Sequence, residues 1–310
     1  MTNDPQALAQ AIVAAHASRF GETAPASTSA ELVFSSEDTV YRGAKQGCAR
    51  LGFIEVDAEC LAQAWHAQTQ RTGHFDAHAW PESPVDFGLR AFPPASRDDA
   101  FPPCPPRLGL YAVLPDAAWV GRMARAGVPT VQLRFKSGDA QAVSREVRAA
   151  VDAVRGTDAL LFINDHWRAA IEAGAYGLHL GQEDLDALAP GDLQALRASG
   201  LRLGLSTHGY AEMVRADAVS PSYIAMGAVY PTTLKQMATA PQGVARLAAY
   251  ARLLRGYPQV GIGGIDAARL PEVLATGVGS VAVVRALVAD PDPEAAAARL
   301  IAAVEAGTLA

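Results

Sequence analysis

From residue 107 onward one pattern repeats: a short apolar run, an amphipathic stretch, then another apolar run. The runs fall at 108–114, 130–135, 160–164, 177–180, 202–206, 223–227, 259–263 and 280–284. Each has the length of a buried strand. The segments between them, such as 117–126, 140–154, 166–173, 244–255 and 267–275, space their apolar residues as a helix does. Strands that alternate with helices pair in parallel, because each crossover returns the chain to the same end of the sheet. Eight such units in about two hundred residues predict an α/β fold, a closed (β/α)8 TIM barrel. An open doubly wound sheet is the competitor. It requires a glycine-rich first turn, and Tyr111-Ala112-Val113-Leu114-Pro115 is not one.

The stretch before residue 107 follows no such repeat. It reads as an N-terminal extension of unknown fold over 1–80 and a proline-rich, extended connector over 81–106, leaving 107–310 for the barrel. Within the extension, 5–20 and 41–51 read as helices, 22–30 as a loop and Leu32-Val33-Phe34 as a strand. Asp57 is placed to cap a helix running to about residue 70. His74 and His78 have metal-like spacing near Cys60 and His66, but no second thiolate pair completes a zinc set, so they read as exposed loop histidines. Three cysteines, Cys48, Cys60 and Cys104, fit a reducing cytoplasm better than a disulfide scaffold. The apolar run 11–15 is too short for a membrane span. A net charge of −6 argues against nucleic acid or an anionic membrane as partner, so the expected partners are small molecules; a homo-oligomer is left open.

Against this acidic background one strand is unusual. In Thr130-Val131-Gln132-Leu133-Arg134-Phe135-Lys136, Gln132, Arg134 and Lys136 alternate with apolar residues. Alternate residues share a face, so an amide and two cations line up where a parallel barrel is normally apolar. Long donors of this kind suit the oxygens of a phosphate or diphosphate. Lysine is otherwise scarce, occurring only as Lys45, Lys136 and Lys235. The other strand ends are polar too, and a barrel carries its site at that end. They supply Asn164 and Asp165; His179, Gln182, Glu183 and Asp184; Ser206, Thr207 and His208; Thr232, Thr233 and Lys235; Gly263 and Gly264; and Arg285. Asp165 and Asp184 could bind a divalent ion that keeps several waters, as Mg2+ does, or could cap the third and fourth helices. Beside an Arg/Lys cluster the metal reading is preferred, because carboxylates and diphosphate repel unless a cation bridges them. The turn Val260-Gly261-Ile262-Gly263-Gly264-Ile265 and the helix beginning near Val284 lie where barrels commonly hold a phosphate. His179 reads as a satisfied core histidine. His208, next to a strand end, is open to a hydrogen-bonding role.

These pieces resemble the thiamine phosphate synthase family over roughly residues 107–310. The resemblance is carried by Gln132-Leu133-Arg134-Phe135-Lys136, Ile163-Asn164-Asp165, Gly177-Leu178-His179-Leu180-Gly181-Gln182-Glu183-Asp184, Gly204-Leu205-Ser206-Thr207-His208, Gly227-Ala228-Val229-Tyr230-Pro231-Thr232 and Gly261-Ile262-Gly263-Gly264-Ile265. It implies a transferase of thiamine biosynthesis. Such an enzyme joins a hydroxymethylpyrimidine diphosphate to a thiazole phosphate, or its carboxylate, giving thiamine phosphate and diphosphate. The resemblance further implies that Gln132, Arg134, Lys136, Asn164 and Lys235 hold the diphosphate and that Asp165 and Asp184 hold Mg2+. Ser206 would sit near the leaving oxygen or the pyrimidine, and Thr232, Gly264 and the backbone at Val284 would receive the thiazole phosphate. Arg134, Lys136, Ser206 and Lys235 would be the catalytic groups. Two positions depart from the family pattern: Leu234 stands where a second threonine is usual, and Arg285 where serine is common. The pair reads as a rewired phosphate pocket, with Arg285 as a bidentate cation. The rival readings are a thiazole tautomerase-like enzyme, an aldolase or epimerase using Lys136 as an imine-forming amine, and a non-catalytic regulatory binder of thiamine precursors.

Overall fold

The computed structural model describes residues 4–21, 32–92, 97–232 and 239–307. Two compact units emerge: Met1–Ala95 with Gly209–Ala218, and Ser96–His208 with Val219–Ala310.

The larger unit contains a closed parallel barrel. Its strands are β1 (Gly109–Leu114), β2 (Thr130–Leu133), β3 (Leu160–Asn164), β4 (Gly177–Leu180), β5 (Arg202–Thr207), β6 (Tyr223–Met226), β7 (Gln259–Ile262) and β8 (Ser280–Val283). Each pairs with the next, and β8 closes on β1 with Tyr111 opposite Ala282. All eight expected strands are present, and their ends agree to within a residue or two. One shift matters for the site. Strand β2 stops at Leu133, so Arg134 and Lys136 belong to the loop that follows rather than to the strand. Polar side chains end several of the crossovers where helices need them. Asp116 accepts from Trp119 N at the start of the helix Ala117–Arg125, and Asp139 accepts from Gln141 N at the start of Ala140–Ala153.

Aromatic residues fill the barrel interior. Tyr111, Phe162 and Tyr223 are buried together with Leu108, Val113, Ala225, Val260 and Ala282. Such bulk on some strands demands small residues on others. At Gly204 a Cβ would lie 2.1 Å from Cζ of Tyr223, so glycine is the residue that lets the ring cross the barrel axis.

The smaller unit is helical. It comprises α1 (Pro5–Phe20), α2 (Thr39–Arg50), α3 (Glu55–Thr72) and the part of the helix Tyr210–Val219 up to Ala218. His16, Phe20, Phe53, Trp65, Trp80 and Tyr210 form its aromatic centre, with Phe87 stacked on Tyr210 at 5.2 Å between centroids. Residues 32–34, expected as a strand, pair with no strand among the described residues; the carbonyl of Val33 instead accepts from Lys45 Nζ. The start of the proline-rich segment is not extended either. Pro84–Phe87 form a 3-10 turn, and Arg71 grips Asp86 through two bonds of 2.8 and 2.6 Å. His74 and His78 are exposed, and no group of three metal-ligating side chains occurs among the described residues. None of the described helices is long and apolar enough to cross a membrane.

Asp57 does cap a helix, but not the one the sequence suggests. It lies inside α3, whose N-cap is Ile54, and its Oδ1 accepts from Ala211 N at 2.9 Å, at the start of the helix Tyr210–Val219. Its carboxylate is 3% exposed, so Asp57→Ala is expected to destabilise this unit by about 1–2 kcal/mol, read as a lower urea midpoint.

Glu59 is the electrostatic centre of the same unit. Burial pushes its carboxyl up, yet bonds from Lys45 (2.6 Å), Tyr41 (2.5 Å), Ser35 (2.8 Å) and Gln63 (2.9 Å) outweigh that and hold it at about 2. A depressed carboxyl stabilises the fold above its ordinary value near 4.5, and that stability is lost as pH falls toward about 2. Glu59→Gln should therefore flatten the stability profile between these limits, as followed by tryptophan fluorescence.

Candidate active site

The polar residues lie where the strands end. Gln132 is buried on β2, 4% exposed, and donates from Nε2 to Tyr111 Oη at 2.9 Å. Arg134 follows, half-buried, its backbone N–H held by Leu114 O at 2.8 Å; its guanidinium has no ion pair among the described residues. Lys136 is exposed and reaches across to β3, where Nζ lies 2.5 Å from Asp165 Oδ2.

Asp165 has a left-handed backbone, with φ +63°. That conformation is costly for most residues but tolerated by Asp and Asn. It bends the chain straight after β3, with Asp165 N–H donating to His179 O at 3.0 Å and Trp167 N–H donating to Asp165 O at 2.8 Å. The sequence left open whether Asp165 caps the third barrel helix. It does not: His166 is the N-cap of Trp167–Ala173, and no side chain bonds there. Asp184 belongs to Gln182–Asp186 and does reach back to its start, accepting from Gly181 N at 2.9 Å.

The two carboxylates act on each other electrostatically. Burial pushes Asp165 up, but pairing with Lys136 wins and holds it below the usual carboxylate range. Asp184 is raised, by burial and by the charge of Asp165, against the pull of Gly181 N–H. Two half-buried carboxylates this close repel when both are ionised. A divalent cation would relieve the repulsion, and Mg2+ is content with one or two carboxylates plus waters and phosphate oxygens. The donor set therefore fits the ion.

Around the ring, Ser206 on β5 bonds through Oγ to His179 Nε2 at 2.8 Å, and Gln182 Nε2 donates to Ser206 O at 2.7 Å. The loops after β6 and β7 are sewn together: Val229 N–H donates to Ile262 O at 2.9 Å and Tyr230 N–H to Gly263 O at 3.0 Å. Gly264 has φ +65°, and a Cβ there would lie 2.7 Å from Pro231 O, the carbonyl just before Thr232. Val284 is the N-cap of the short helix Arg285–Val288, and Arg285 is exposed without an ion pair among the described residues. Lys235, with Thr233 and Leu234, lies outside the described residues.

The structure thus joins Lys136 to Asp165 directly, with Asp184 close enough to feel the charge of Asp165. Asn164, Arg134, Thr232, Gly264, Val284 and Arg285 lie at the same barrel end. Sequence reasoning missed Tyr111 and Tyr223, while its reading of His179 as a satisfied core histidine agrees with a buried ring bonded at both nitrogens. The only signal of the two tyrosines was a hydroxyl at an interior-facing strand position, which a core reading absorbs equally well.

Cations, paired carboxylates and a glycine turn on the strand ends define the class: a (β/α)8 barrel whose rim suits anionic substrates. The family described as thiamine monophosphate synthase matches residues 110–287, and the chain belongs to that family. It is 56% identical to thiamine-phosphate synthase of Neisseria meningitidis serogroup B over 195 residues, covering 63% of this chain and 94% of that protein. Thiamine-phosphate synthase of Salmonella agona is 53% identical over 207 residues, 67% of this chain and 97% of its own length. Among solved structures, thiamine phosphate pyrophosphorylase from Pyrococcus furiosus superposes with a TM-score of 0.55 at 27% identity, covering 64% of this chain and 96% of that one.

Proposed function

We propose that the barrel is a thiamine phosphate synthase, a transferase of thiamine biosynthesis. The observation that carries this reading is the convergence of Lys136, Asp165 and Asp184 beside Gln132 and Arg134, in a barrel so similar to thiamine-phosphate synthases. In the reaction, the bond between the pyrimidine methylene and diphosphate oxygen breaks first, and its electron pair leaves with diphosphate. The thiazole ring nitrogen then donates its lone pair to the vacated carbon. When the thiazole arrives as its carboxylate, carbon dioxide is lost as well.

Charge grows on the diphosphate as it departs. Cations already in place stabilise that transition state more than the ground state. Arg134 and Lys136 are the cations, with Gln132 and Asn164 as neutral donors and Lys235 as the contribution expected of the sixth loop. Asp165 and Asp184 hold Mg2+, which when bound neutralises diphosphate charge and orients its oxygens. Ser206 donates near the leaving oxygen or the pyrimidine. Thr232, Gly264 and the backbone at Val284 take the thiazole phosphate, with Arg285 as an added cation at its edge. A tautomerase needs no diphosphate end, and Lys136, exposed and ion-paired with Asp165 at 2.5 Å, lacks the desolvated apolar setting that activates an imine-forming amine.

The direct test mixes the protein with both substrates and Mg2+ and assays diphosphate release. Release that needs both substrates and stops with chelator is the expected result. Absence of release in every combination removes the proposal.

A further inference from the structure

Five side chains cross the barrel interior in one hydrogen-bonded row. Gln132 Nε2 meets Tyr111 Oη at 2.9 Å, and Tyr111 Oη meets Tyr223 Oη at 2.7 Å. Tyr223 Oη then meets His179 Nδ1 at 2.7 Å, and His179 Nε2 meets Ser206 Oγ at 2.8 Å. The row begins at one residue assigned above to the substrate and ends at another, 74 positions along the chain (206 − 132). Both tyrosines are buried, at 2% and 0% exposure, so each hydroxyl must spend its proton inside the row.

Counting protons gives the row a direction. The Gln132 amide has only protons to offer from Nε2, so it occupies a lone pair of Tyr111. The proton of Tyr111 then goes to Tyr223, its other hydrogen-bond partner among the described residues. Tyr223 passes its own proton to His179 Nδ1. A ring nitrogen that accepts carries no proton, so the imidazole bears it on Nε2 and donates to Ser206 Oγ. The opposite direction would leave the Tyr111 proton buried without an acceptor. A doubly protonated ring would do the same to the Tyr223 proton. Burial pushes both phenols well up, which keeps their protons in place.

We propose that this row fixes His179 as the Nε2–H tautomer and so commits Ser206 to donating its hydroxyl proton toward the substrate. Tyr111, Tyr223 and His179 are positioning residues; no proton moves along the row during turnover. The substrate atom that takes the Ser206 proton is therefore an acceptor, a leaving oxygen or a ring nitrogen. This inference rests on the reading of Ser206 as a substrate-facing group, while the direction of the row can be read without any turnover.

Protein labelled with 15N-histidine, without substrates, is the sample. The His179 resonances are assigned by their loss in His179→Gln. The expected spectrum shows an unprotonated Nδ1 and a protonated Nε2. An Nδ1–H tautomer or a doubly protonated ring overturns the proposal, even if diphosphate release is normal. Conversely, the expected tautomer in a protein that releases no diphosphate leaves the row intact and removes only the reaction. Kinetics supply a second reading. His179→Gln places an amide N–H near Nε2, whereas His179→Asn places it near Nδ1. The Gln variant is expected to keep at least tenfold more kcat than the Asn variant, with KM for thiazole phosphate unchanged in both. Equal losses in two folded variants would count against the tautomer.

Discussion

Replacing Arg134 by alanine is expected to slow diphosphate release more than tenfold, while the thermal unfolding midpoint stays where it was. The argument is one of differential binding. The guanidinium is half-buried at the end of β2 and has no ion pair among the described residues, so it contributes little to the fold. A charge-assisted hydrogen bond to a phosphate oxygen contributes about 1.5–3 kcal/mol. Losing about 1.4 kcal/mol from the transition state costs a factor of ten in rate. Arg134→Lys should recover part of the loss, because lysine returns the charge without the planar fork. Unchanged kinetics in Arg134→Ala would remove the diphosphate from this part of the rim.

Asp165→Asn should have an effect at least as large, through the metal. Asparagine adopts the left-handed backbone that Asp165 requires at φ +63°, so the substitution takes away charge and leaves the turn. Turnover is expected to fall about a hundredfold, roughly 2.7 kcal/mol at the tenfold-per-1.36 scale. The Mg2+ concentration giving half-maximal rate should rise as well. Asp184→Asn should shift the Mg2+ dependence in the same direction, since its amide oxygen still accepts from Gly181 N. Titrating Mg2+ against initial rate separates this from a loss of fold: a variant that merely unfolds would not be rescued by more metal. Saturation curves identical to the parent protein would show that the carboxylates act only as structural partners of Lys136 and Gly181.

The barrel was legible in the amino-acid pattern alone. Eight buried runs at crossover spacing leave a parallel sheet few ways to close, and β1 to β8 follow them closely. The pattern also put Gln132 on the barrel interior, because side-chain alternation along a strand is local, whereas Arg134 and Lys136 lie in the loop beyond β2 where that alternation no longer applies. Asp165 and Asp184 were visible as strand-end carboxylates, although whether they cap or converge was not. That depends on the register of β3 against β4, which sets Asn164 opposite His179 and brings two loops together.

Other features arise where folding brings distant residues together. Asp57 reads as a cap for its own helix, yet it caps one that begins more than 150 residues later, since Ala211 minus Asp57 is 154 positions. His179 reads as core and is core, but its ring meets the buried hydroxyls of Tyr223 and, through it, Tyr111 in a single row across the barrel. Hydrophobic burial acts over short range in sequence patterns and announces itself as periodicity. A hydrogen bond needs one atom placed within tenths of an ångström of another, and chain folding alone supplies that coincidence.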